Sequence, residues 1–373
     1  MKKVYDVIIV GAGVIGCSIA YQLTKRKKKV LILEKGKIGH KASSAAAGML
    51  GVHTEFNDNE ELLKAAIKSR DMFPALSQEL REISGIDFEF TQNGMIKLAF
   101  TDSDQSALLR LADVSKDAVW LPEEEVSRLE PGLSKRNKGG LYADKDGNVS
   151  AQKLTLSLAS SAVRLGAELK DFSPVIGLLR DDGSCNGVMT RHDTYYSSEV
   201  IVAGGAWSGE ILSTAGVDIS GYPVKGECFS VVLEAPKIKR TIFTEGCYLV
   251  PKQGNHLLVG ATEHPYTFDE SITVGGLNGL MNKAIELLPD LIYGRWEKAW
   301  AGVRPKTAGT APKIGRVPGW KGLSVASGHY RNGILLAPLT GIMMAELMEG
   351  KEISPLFRLG DIDERMLKSE SKN

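Results

Sequence analysis

The feature that most constrains this chain is a glycine-rich turn between an apolar strand and an apolar helix near the N-terminus. The run Val-Ile-Ile-Val at residues 7–10 reads as a buried strand, and Gly-Ala-Gly-Val-Ile-Gly at residues 11–16 follows it directly. An apolar stretch that reads as a helix then continues to Leu23. A dinucleotide-binding unit requires this order of strand, glycine-rich turn and helix.

The three glycines of this turn have separate structural reasons. Gly11 permits the tight turn, Gly13 lets the backbone approach a pyrophosphate, and Gly16 lets the helix pack closely on the strand. The helix N-terminus offers its unpaired N–H groups and the positive end of its dipole to the phosphates.

An acidic residue completes the pattern. A second apolar strand at residues 30–33 ends in Glu34, which lies 18 residues after Gly16. At that position an acidic side chain accepts hydrogen bonds from a ribose. The unit therefore predicts binding of FAD or NAD. The alternative, a glycine-rich turn that binds no ligand, leaves an acid at the end of an apolar strand unexplained.

Length and charge set the broad class of the protein. A chain of 373 residues is long enough for two domains or for one large domain with an insertion. Its hydrophobic content of 43% and charged content of 24% are typical of soluble globular proteins. The formal net charge of +1 argues against a dedicated nucleic-acid surface. The basic run at residues 25–29 ends the first predicted helix, where it complements the helix dipole.

The cysteines and the apolar runs indicate the compartment. Cys17, Cys185, Cys228 and Cys247 form no CxxC pair and have no metal-ligand spacing, so we expect free thiols in a reducing compartment and no metal site. No apolar run reaches the roughly 20 residues that a membrane helix needs. We therefore expect a cytoplasmic protein without an integral membrane segment.

The hydrophobic periodicity predicts the order of elements. Predicted helices cover residues 60–84, 103–113, 122–130, 151–165 and 275–288, and a last one ends at Met348. Predicted strands cover residues 88–90, 95–100, 139–142 and 323–326 and most of 168–202 and 222–262. The simplest arrangement is a nucleotide domain built from N-terminal, middle and C-terminal segments, with two β-rich insertions that form a substrate domain.

Two more glycine-rich turns, Gly204-Gly205 and residues 328–333, each follow a predicted strand and precede a predicted helix. The second of them, taken alone, is also compatible with a plain corner between a strand and a helix. A helix N-terminus at Gly333 suits the C2 carbonyl end of an isoalloxazine ring, which gains negative charge on reduction. The chain has one complete dinucleotide fingerprint, whereas reductases that use NAD(P)H usually carry a second. This favours a flavoenzyme that oxidises a small donor directly.

Longer motifs carry a resemblance to a known family. They lie at residues 3–34, 43–51, 223–228, 247–251, 300–305 and 328–338. The most specific are Ser-Ser-Ala-Ala-Ala-Gly-Met-Leu at 43–50 and Gly-His-Tyr-Arg-Asn-Gly-Ile-Leu-Leu at 328–336. With these motifs, essentially the whole chain resembles the D-amino-acid oxidase family of FAD proteins, and within it the glycine oxidases of the thiamine branch in bacilli.

The resemblance implies an α/β fold. A Rossmann-like FAD-binding domain of the glutathione-reductase type is combined with an interleaved antiparallel-sheet substrate domain. The implied FAD-binding domain covers residues 1–85, 145–221 and 300–373, and the substrate-binding domain covers 86–144 and 222–299. The family also implies a homotetramer. Related sarcosine oxidases bond the flavin through a cysteine after the arginine motif, but residues 304–319 contain no cysteine, so we expect noncovalent FAD.

The family's FAD contacts fall on matching positions of this chain. They are Gly11, Gly13, Val14, Ile15, Gly16, Glu34, Lys35, Ala42, Ser43, Ala47, Gly48, Met49, Val175, His329, Tyr330, Arg331, Asn332, Gly333, Ile334 and Leu335. The resemblance places the first five at the pyrophosphate turn, Glu34 and Lys35 at the adenosine ribose, Val175 at the adenine, and residues 329–335 around the flavin's pyrimidine edge and ribityl chain.

The implied substrate contacts are Arg304, Tyr248, Arg331 and Met49. Arg304 resembles the arginine that clamps the substrate carboxylate, because its planar fork of donors matches a carboxylate bidentately. A surface ion pair is the alternative, although the setting Trp-Ala-Gly-Val-Arg-Pro is apolar around one charge. Tyr248 taken alone is more typical of a core or strand tyrosine. Glu263 departs from the family, because an apolar or small residue is expected near the pocket; it faces solvent or shifts the preference among amines.

The implied activity is oxidation of glycine and related small amines, such as sarcosine and some D-amino acids. Hydride passes from the α-carbon to flavin N5 without a side-chain base, and O₂ is reduced to H₂O₂. The imine gives glyoxylate and ammonia or feeds thiazole synthesis for thiamine. The partners are thus a small amino acid and O₂. Two alternatives stay open: an FAD-dependent sarcosine or D-amino-acid oxidase or dehydrogenase with another preferred substrate, and a non-catalytic FAD-binding module.

Overall fold

The structure, a computed structural model, describes residues 3–53, 59–235 and 237–359. Within these ranges the strands, in chain order, are β1 (Val4–Val10), β2 (Val30–Leu33), β3 (Met95–Leu98), β4 (Val119–Leu121), β5 (Gly140–Ala143), β6 (Glu168–Lys170), β7 (Val175–Asp181), β8 (Ser184–Thr190), β9 (Thr194–Val202), β10 (Gly221–Val232), β11 (Thr241–Thr244), β12 (Cys247–Pro251), β13 (His256–Gly260), β14 (His264–Pro265), β15 (Arg295–Thr307), β16 (Lys313–Arg316) and β17 (Leu323–Ser327). The α-helices are α1 (Val14–Lys25), α2 (Ala42–Ala45), α3 (Glu60–Arg70), α4 (Phe73–Ser84), α5 (Asp102–Val114), α6 (Glu123–Leu129), α7 (Ala151–Arg164), α8 (Ser208–Ser213), α9 (Val274–Leu287) and α10 (Gly333–Met348).

The first sheet is the one that a nucleotide-binding unit needs. Its strands lie in the order β16-β17-β9-β1-β2-β6, with β7 and β8 attached beyond β9. β1 pairs in parallel with both β2 and β9, and β9 pairs in parallel with β17. Parallel strands buried on both faces read as apolar runs, and β2 is buried along its whole length. Helices α1, α7 and α10 pack together over one face.

The second sheet is mainly antiparallel. Its order is β14-β10-β13-β12-β11-β3-β5-β4, and β15 pairs along β10. One neighbouring pair, β3 and β11, is parallel, and these two strands come from separate segments of the chain. Apolar side chains of the sheet pack against α9 in a second core.

The two sheets are interleaved along the chain, as the fold class predicted. Strands of the first sheet come from residues 4–33, 168–202 and 313–327, and those of the second from 95–143 and 221–307. The predicted boundary between residues 299 and 300 falls inside β15, which stays paired with β10 as far as Thr307. The division into two domains remains a prediction.

Two predicted elements differ from the structure. The single helix over residues 60–84 is instead α3 and α4, which are separated at Asp71 and Met72. Pro74 stands in the first turn of α4, where its missing N–H costs nothing, but it cannot continue a helix from upstream.

The other element is the predicted strand at residues 88–90, which forms no sheet ladder. Glu89 has a φ of 58°, in the left-handed region, so the backbone turns there instead of extending. Phe88 is buried in the core under the first sheet. The alternation of apolar residues at this point thus reflects core packing and not strand pairing.

Candidate functional site

The glycine-rich turn between β1 and α1 is packed too tightly for side chains. Gly11 has a φ of 108°, and a Cβ built on it would lie 2.5 Å from the carbonyl oxygen of Ala203. A Cβ on Gly16 would overlap the carbonyl oxygen of Gly11. The turn therefore brings α1 against the end of β1, so that the N-terminus of the helix faces outward from the sheet edge.

Two side chains from elsewhere hold this turn. Glu34, just beyond β2, accepts hydrogen bonds from the backbone N–H of Ala12 at 2.8 Å and of Gly36 at 2.9 Å. The Ser43 hydroxyl oxygen accepts one from the N–H of Val14 at 2.9 Å. The acid at the end of β2 and the serine of the small-residue segment therefore both lie at the N-terminus of α1.

A long cleft with an empty volume of about 1260 Å³ runs from this turn across the edge of the first sheet. The predicted FAD contacts that line it are Gly11, Gly13, Val14, Ile15, Glu34, Lys35, Ala42, Ser43, Val175, His329, Tyr330, Arg331, Gly333 and Ile334. Ala47, Gly48 and Met49 line the neighbouring cavity instead. Gly16, Asn332 and Leu335 belong to the described residues but line neither cavity. Leu335 is buried in the core, and Asn332 is the residue that precedes α10.

Trp207 stands at one end of the cleft, on the turn after β9. The Lys35 ammonium lies 3.7 Å from the centroid of the Trp207 ring, and Phe268 packs on the same ring with centroids 5.4 Å apart. Burial disfavours the charged ammonium and lowers the pKa of Lys35. Because Phe268 follows β14 of the second sheet and Lys35 follows β2 of the first, residues next to both sheets contact the Trp207 ring.

His329 and the start of α10 form the other end of the cleft. His329 is buried, and its Nε2 shares a hydrogen bond of 3.0 Å with the Thr340 hydroxyl. Burial lowers the pKa of His329 to about 3, so the imidazole is neutral near pH 7. Gly333 and Ile334, the first residues of α10, line the cleft. The positive end of this helix dipole therefore faces the cleft.

A second cavity, with an empty volume of about 610 Å³, adjoins the cleft. The two share Ala42, Ala46, Tyr330, Arg331 and Ile334 as walls. The rest of its lining is Ala45, Ala47, Gly48, Met49, Gly226, Cys228, Tyr248, Gly302 and Arg304. All four predicted substrate contacts are thus brought together here.

Arg304 extends from β15 across the backbone of β10. A Cβ built on Gly226 would overlap both terminal nitrogens of the guanidinium, so the side chain lies directly on that glycine. Nη1 donates a hydrogen bond of 3.4 Å to the carbonyl oxygen of Thr262. This contact uses one of the five donors of the guanidinium, and its fork lines the cavity.

Tyr248, on β12, lines the same cavity and is 6% exposed. Its hydroxyl and the Cys228 thiol lie 3.5 Å apart. Burial disfavours the phenolate and raises the pKa of Tyr248 well above its usual range. The side chain therefore stays a neutral phenol. Among the described residues that line the cavity there is no Asp, Glu or His.

β15 is the common wall of both cavities. Val303 and Pro305 line the long cleft, whereas Gly302 and Arg304 line the second cavity. Successive side chains of a strand point to opposite faces, so one strand serves two sites. A Cβ on Gly302 would overlap the Cβ of Ala45. The absence of a side chain at Gly302 therefore lets α2 lie against the strand.

Several lining residues were not predicted from the sequence. In the second cavity they are Ala45, Ala46, Gly226, Cys228 and Gly302. The motifs that contain them were recognised, but small residues carry no chemical signal of their own. In the cleft, Trp207 follows the recognised turn at Gly204-Gly205, whose position after a strand was the available signal.

The cleft fits an extended dinucleotide with a flavin. Its turn leaves no room for a Cβ at Gly11, α1 presents its N-terminus beside that turn, and no acidic residue stands in the first turn of α1. These are the requirements of a pyrophosphate site. Glu34 and Trp207 lie at one end and the α10 N-terminus at the other.

Comparison with known proteins decides the family. Residues 6–347 match the model of the FAD dependent oxidoreductase family, which includes D-amino-acid oxidases. The chain belongs to this family. As a family member it binds FAD, so the predicted cofactor and the predicted resemblance are confirmed.

Relatives within the FAD dependent oxidoreductase family are close. Glycine oxidase of Geobacillus kaustophilus is 43% identical over 358 residues, with 94% of this chain and 95% of the relative covered. Glycine oxidase of Bacillus subtilis is 36% identical, with 95% of each chain covered. The crystal structure of the Geobacillus kaustophilus enzyme superimposes with a TM-score of 0.93 at 41% identity, covering 97% of this chain and 100% of that one. The predicted fold class is confirmed.

The described residues contain neither a membrane-spanning helix nor a cluster of metal-ligating side chains. No helix among them is both long and apolar enough to cross a bilayer. They also contain no group of three or more His, Cys, Asp or Glu side chains placed to hold a metal ion.

Proposed function

We propose that this chain is an FAD-dependent oxidase of glycine and related small amines, including sarcosine. The observation that carries the proposal is Arg304, whose guanidinium fork lines a small cavity beside the FAD cleft. An arginine fork binds a carboxylate bidentately. The relatives named glycine oxidase, at up to 43% identity among those compared, support the same conclusion.

The cavity limits the size of the amino acid. Arg304 binds the carboxylate, and Tyr248 and Met49 leave room for a small α-substituent. No described carboxylate or histidine lines the cavity, so the chain supplies no side-chain base, and the substrate reacts as the free amine. Bound FAD supplies the two-electron acceptor, and O₂ takes up these electrons as H₂O₂. The imine product hydrolyses to glyoxylate and ammonia or is captured for thiazole synthesis in thiamine formation.

Several finer assignments are part of the proposal. The FAD contacts are those that line the cleft, and Arg331 and Tyr330 lie where flavin and substrate meet. FAD is held noncovalently. The domain boundaries are the predicted ones, except that β15 continues the substrate sheet to Thr307.

We also propose a cytoplasmic homotetramer. Exposed apolar side chains at Ile292 and Tyr293, just before β15, and at Trp296, near its start, offer a surface for a second copy. Large apolar side chains that face water often mark such contacts.

The decisive experiment is a substrate panel. Purified holoenzyme is given glycine, sarcosine, D-alanine or D-proline in air, and H₂O₂ and O₂ are followed. We expect glycine and sarcosine to give H₂O₂ in equal amounts to the O₂ consumed. Under nitrogen, glycine should bleach the flavin absorbance. Absence of bleaching with every member of the panel would contradict the proposal.

A further inference from the structure

Residues 264–273, which we call the strap, connect the second sheet to the wall of the FAD cleft. The strap begins with β14, which pairs with β10 at Val224 and Lys225. It ends at Thr273, the residue before α9, whose N–H and hydroxyl both donate hydrogen bonds to Glu227 on β10. Both ends of the strap are therefore attached to one strand of the second sheet.

The middle of the strap contacts side chains that line the cleft. Phe268 packs on the ring of Trp207, with centroids 5.4 Å apart and ring planes inclined at 37°. Glu270 forms an ion pair with Lys41. Trp207 and Lys41 both line the cleft, whereas Phe268 and Glu270 do not. The strap therefore acts on the cleft through these two side chains.

A buried cation anchors the middle of the strap to β10. The Lys225 side chain is 4% exposed, and its ammonium lies 3.1 Å from Glu227 and 2.9 Å from Asp269 of the strap. Hydrogen bonds from Ser271, together with the Lys225 ammonium, lower the pKa of Asp269, so its carboxylate is charged near pH 7. Because Asp269 is the neighbour of Phe268 in the chain, this anchor also holds the Phe268 ring in place.

Trp207 depends on its packing partners for its position. It ends a short helical turn, Gly205–Trp207, that follows β9, and so it stands on neither a sheet strand nor a long helix. The ammonium groups of Lys35 and Lys41 lie 3.7 Å and 5.4 Å from the centroid of its ring. Phe268 adds an aromatic partner, and a pair of aromatic rings gains from its contact beyond the area that it buries.

A second aromatic side chain of the strap provides an internal comparison. Tyr266 stacks on Tyr222 with centroids 4.6 Å apart. Tyr222 does not line the cleft, whereas Trp207, the partner of Phe268, does. Tyr266 and Phe268 are both exposed, so neither is a core side chain on which folding depends. The two rings therefore differ in whether their partner belongs to the cofactor site.

We infer that Phe268 is a positioning residue for FAD, which holds Trp207 at the wall of the cleft and so slows the release of the cofactor. The strap supplies the fixed support for this contact through Asp269 and Lys225. The inference uses the binding of FAD and does not depend on which amine is oxidised. The effect is expected in the rate of release, because loss of a contact beside a bound ligand acts mainly on dissociation.

The test measures how fast the holoenzyme loses FAD in the absence of substrate. Holoenzyme is diluted into buffer without FAD, samples are desalted at intervals, and the ratio of flavin to protein absorbance gives the release rate. For F268A we expect this rate to rise at least about fivefold, because the paired rings lose their contact. F268Y keeps the ring and should retain the wild-type rate.

Two further variants separate the contact from the strap that carries it. Y266A removes the other exposed ring of the strap and should leave the release rate unchanged. D269N weakens the anchor to Lys225 while both rings stay in place, and it should raise the rate as F268A does. The far-ultraviolet circular dichroism of each holoenzyme should match that of the wild type, which separates a local effect from unfolding.

A double-mutant cycle tests whether Phe268 acts through Trp207. W207L, which keeps an apolar wall, should raise the release rate, and W207L/F268A should raise it no further, because both substitutions remove the same contact. A full additional rise in the double variant would overturn the inference. So would an unchanged rate in F268A, or an equal rise in Y266A. Since no substrate is present, a failure to oxidise glycine would contradict only the proposed activity.

Discussion

At the scale of single residues, Arg304 depends on a residue that has no side chain. The guanidinium lies on Gly226 of the neighbouring strand, and any Cβ there would overlap its nitrogens. The usual description of a substrate arginine by charge and motif is thus incomplete. The position of the guanidinium fork therefore depends on both Gly226 and Arg304.

The first prediction concerns the fork itself. Arg304→Lys keeps the positive charge but loses the bidentate geometry, so we expect the KM for glycine to rise at least about tenfold, or roughly 1.4 kcal/mol. FAD content should stay normal. Steady-state kinetics with glycine and with a small amine that lacks a carboxylate provide the comparison, and equal losses for both would contradict a role in carboxylate binding. Arg295→Lys, an exposed change on the same strand, is the control.

The second prediction tests the support under the arginine. Gly226→Ala should displace the guanidinium and raise the KM for glycine as Arg304→Lys does, while FAD stays bound. Combining both substitutions should give less than the sum of their effects, because they remove the same contact. Gly279→Ala, where no atom lies near the added Cβ, is the matched control. Full additivity of the two changes would contradict the proposed dependence.

The sequence predicted the residues at this scale unevenly. Arg304, Tyr248, Arg331 and Met49 stand in specific motifs, and they converge on one cavity. Gly226 and Cys228 stand in an equally recognisable motif, but the sequence does not show the register of β10 against β15. The hydrogen bond from Tyr330 to Glu263 and the ion pair of Glu263 with Arg331 were likewise not predicted. Tyr330 and Arg331 lie 67 and 68 positions from Glu263 in the chain.

At the scale of elements, the unit of β1, its turn and α1 is the best predicted part of the molecule. The strand and the helix start are where the fingerprint puts them, because glycine spacing, strand burial and helix start are local properties. By contrast, the break between α3 and α4 was not predicted, because the apolar periodicity of residues 60–84 continues past Pro74, which cannot continue a helix from upstream.

The third prediction belongs to this unit. Gly13→Val should yield apoprotein, because the new side chain meets the Ser43 hydroxyl and fills the approach to the helix N-terminus. The ratio of flavin to protein absorbance measures the loss. Gly309→Val, at an exposed glycine with open space around it, is the control. A normal flavin content in Gly13→Val would show that the turn does not contact the pyrophosphate.

The fourth prediction concerns the last residue of α3. Arg70 is 2% exposed and pairs with Asp146 at 3.0 Å, Asp117 at 2.6 Å and Asp71 at 2.9 Å. Arg70→Met leaves the buried Asp146 without its cation, so we expect the free energy of unfolding to fall by about 3–5 kcal/mol. Urea denaturation of the holoenzyme measures it. Arg81→Met on the exposed face of α4 is the control, and an equally small loss in both would contradict this role.

At the scale of the whole molecule, buried histidines make stability depend on pH. His53 is 4% exposed, and burial lowers its pKa from 6.5 to about 4. The unfolded chain binds a proton as the pH falls below about 6.5, whereas the folded chain does so only near pH 4. The free energy of unfolding therefore has its full value above pH 6.5 and falls as the pH decreases from there towards 4.

The fifth prediction follows from this direction of the change in the free energy of unfolding with pH. His53→Gln should reduce the dependence of the free energy of unfolding on pH by about 1 kcal/mol per pH unit near pH 5. Urea denaturation at several pH values between 4.5 and 7.5, with excess FAD, measures the slope. His264→Gln at an exposed position should leave the slope unchanged. Parallel profiles of the wild type and His53→Gln would contradict the prediction.

The arrangement of whole sheets was predictable only as a class. The alternation of apolar strands and helices indicated an α/β unit, and the order of these elements along the chain already predicted the interleaving of two β-rich insertions. The parallel pair of β3 and β11, which joins segments more than 140 residues apart, has no local signal. The long pairing of β15 with β10 as far as Thr307 was likewise not predicted, because it joins segments that lie far apart in the chain.

The shared strand β15 has a thermodynamic consequence. One side of it lines the long cleft through Val303 and Pro305, and the other lines the second cavity through Gly302 and Arg304. A ligand that orders the strand from either side lowers the cost of ordering it from the other. By reciprocity, the factor by which bound FAD tightens carboxylate binding equals the factor by which a bound carboxylate tightens FAD. A carboxylate that ordered β15 from the second cavity would in this way slow the loss of flavin from the holoenzyme during storage.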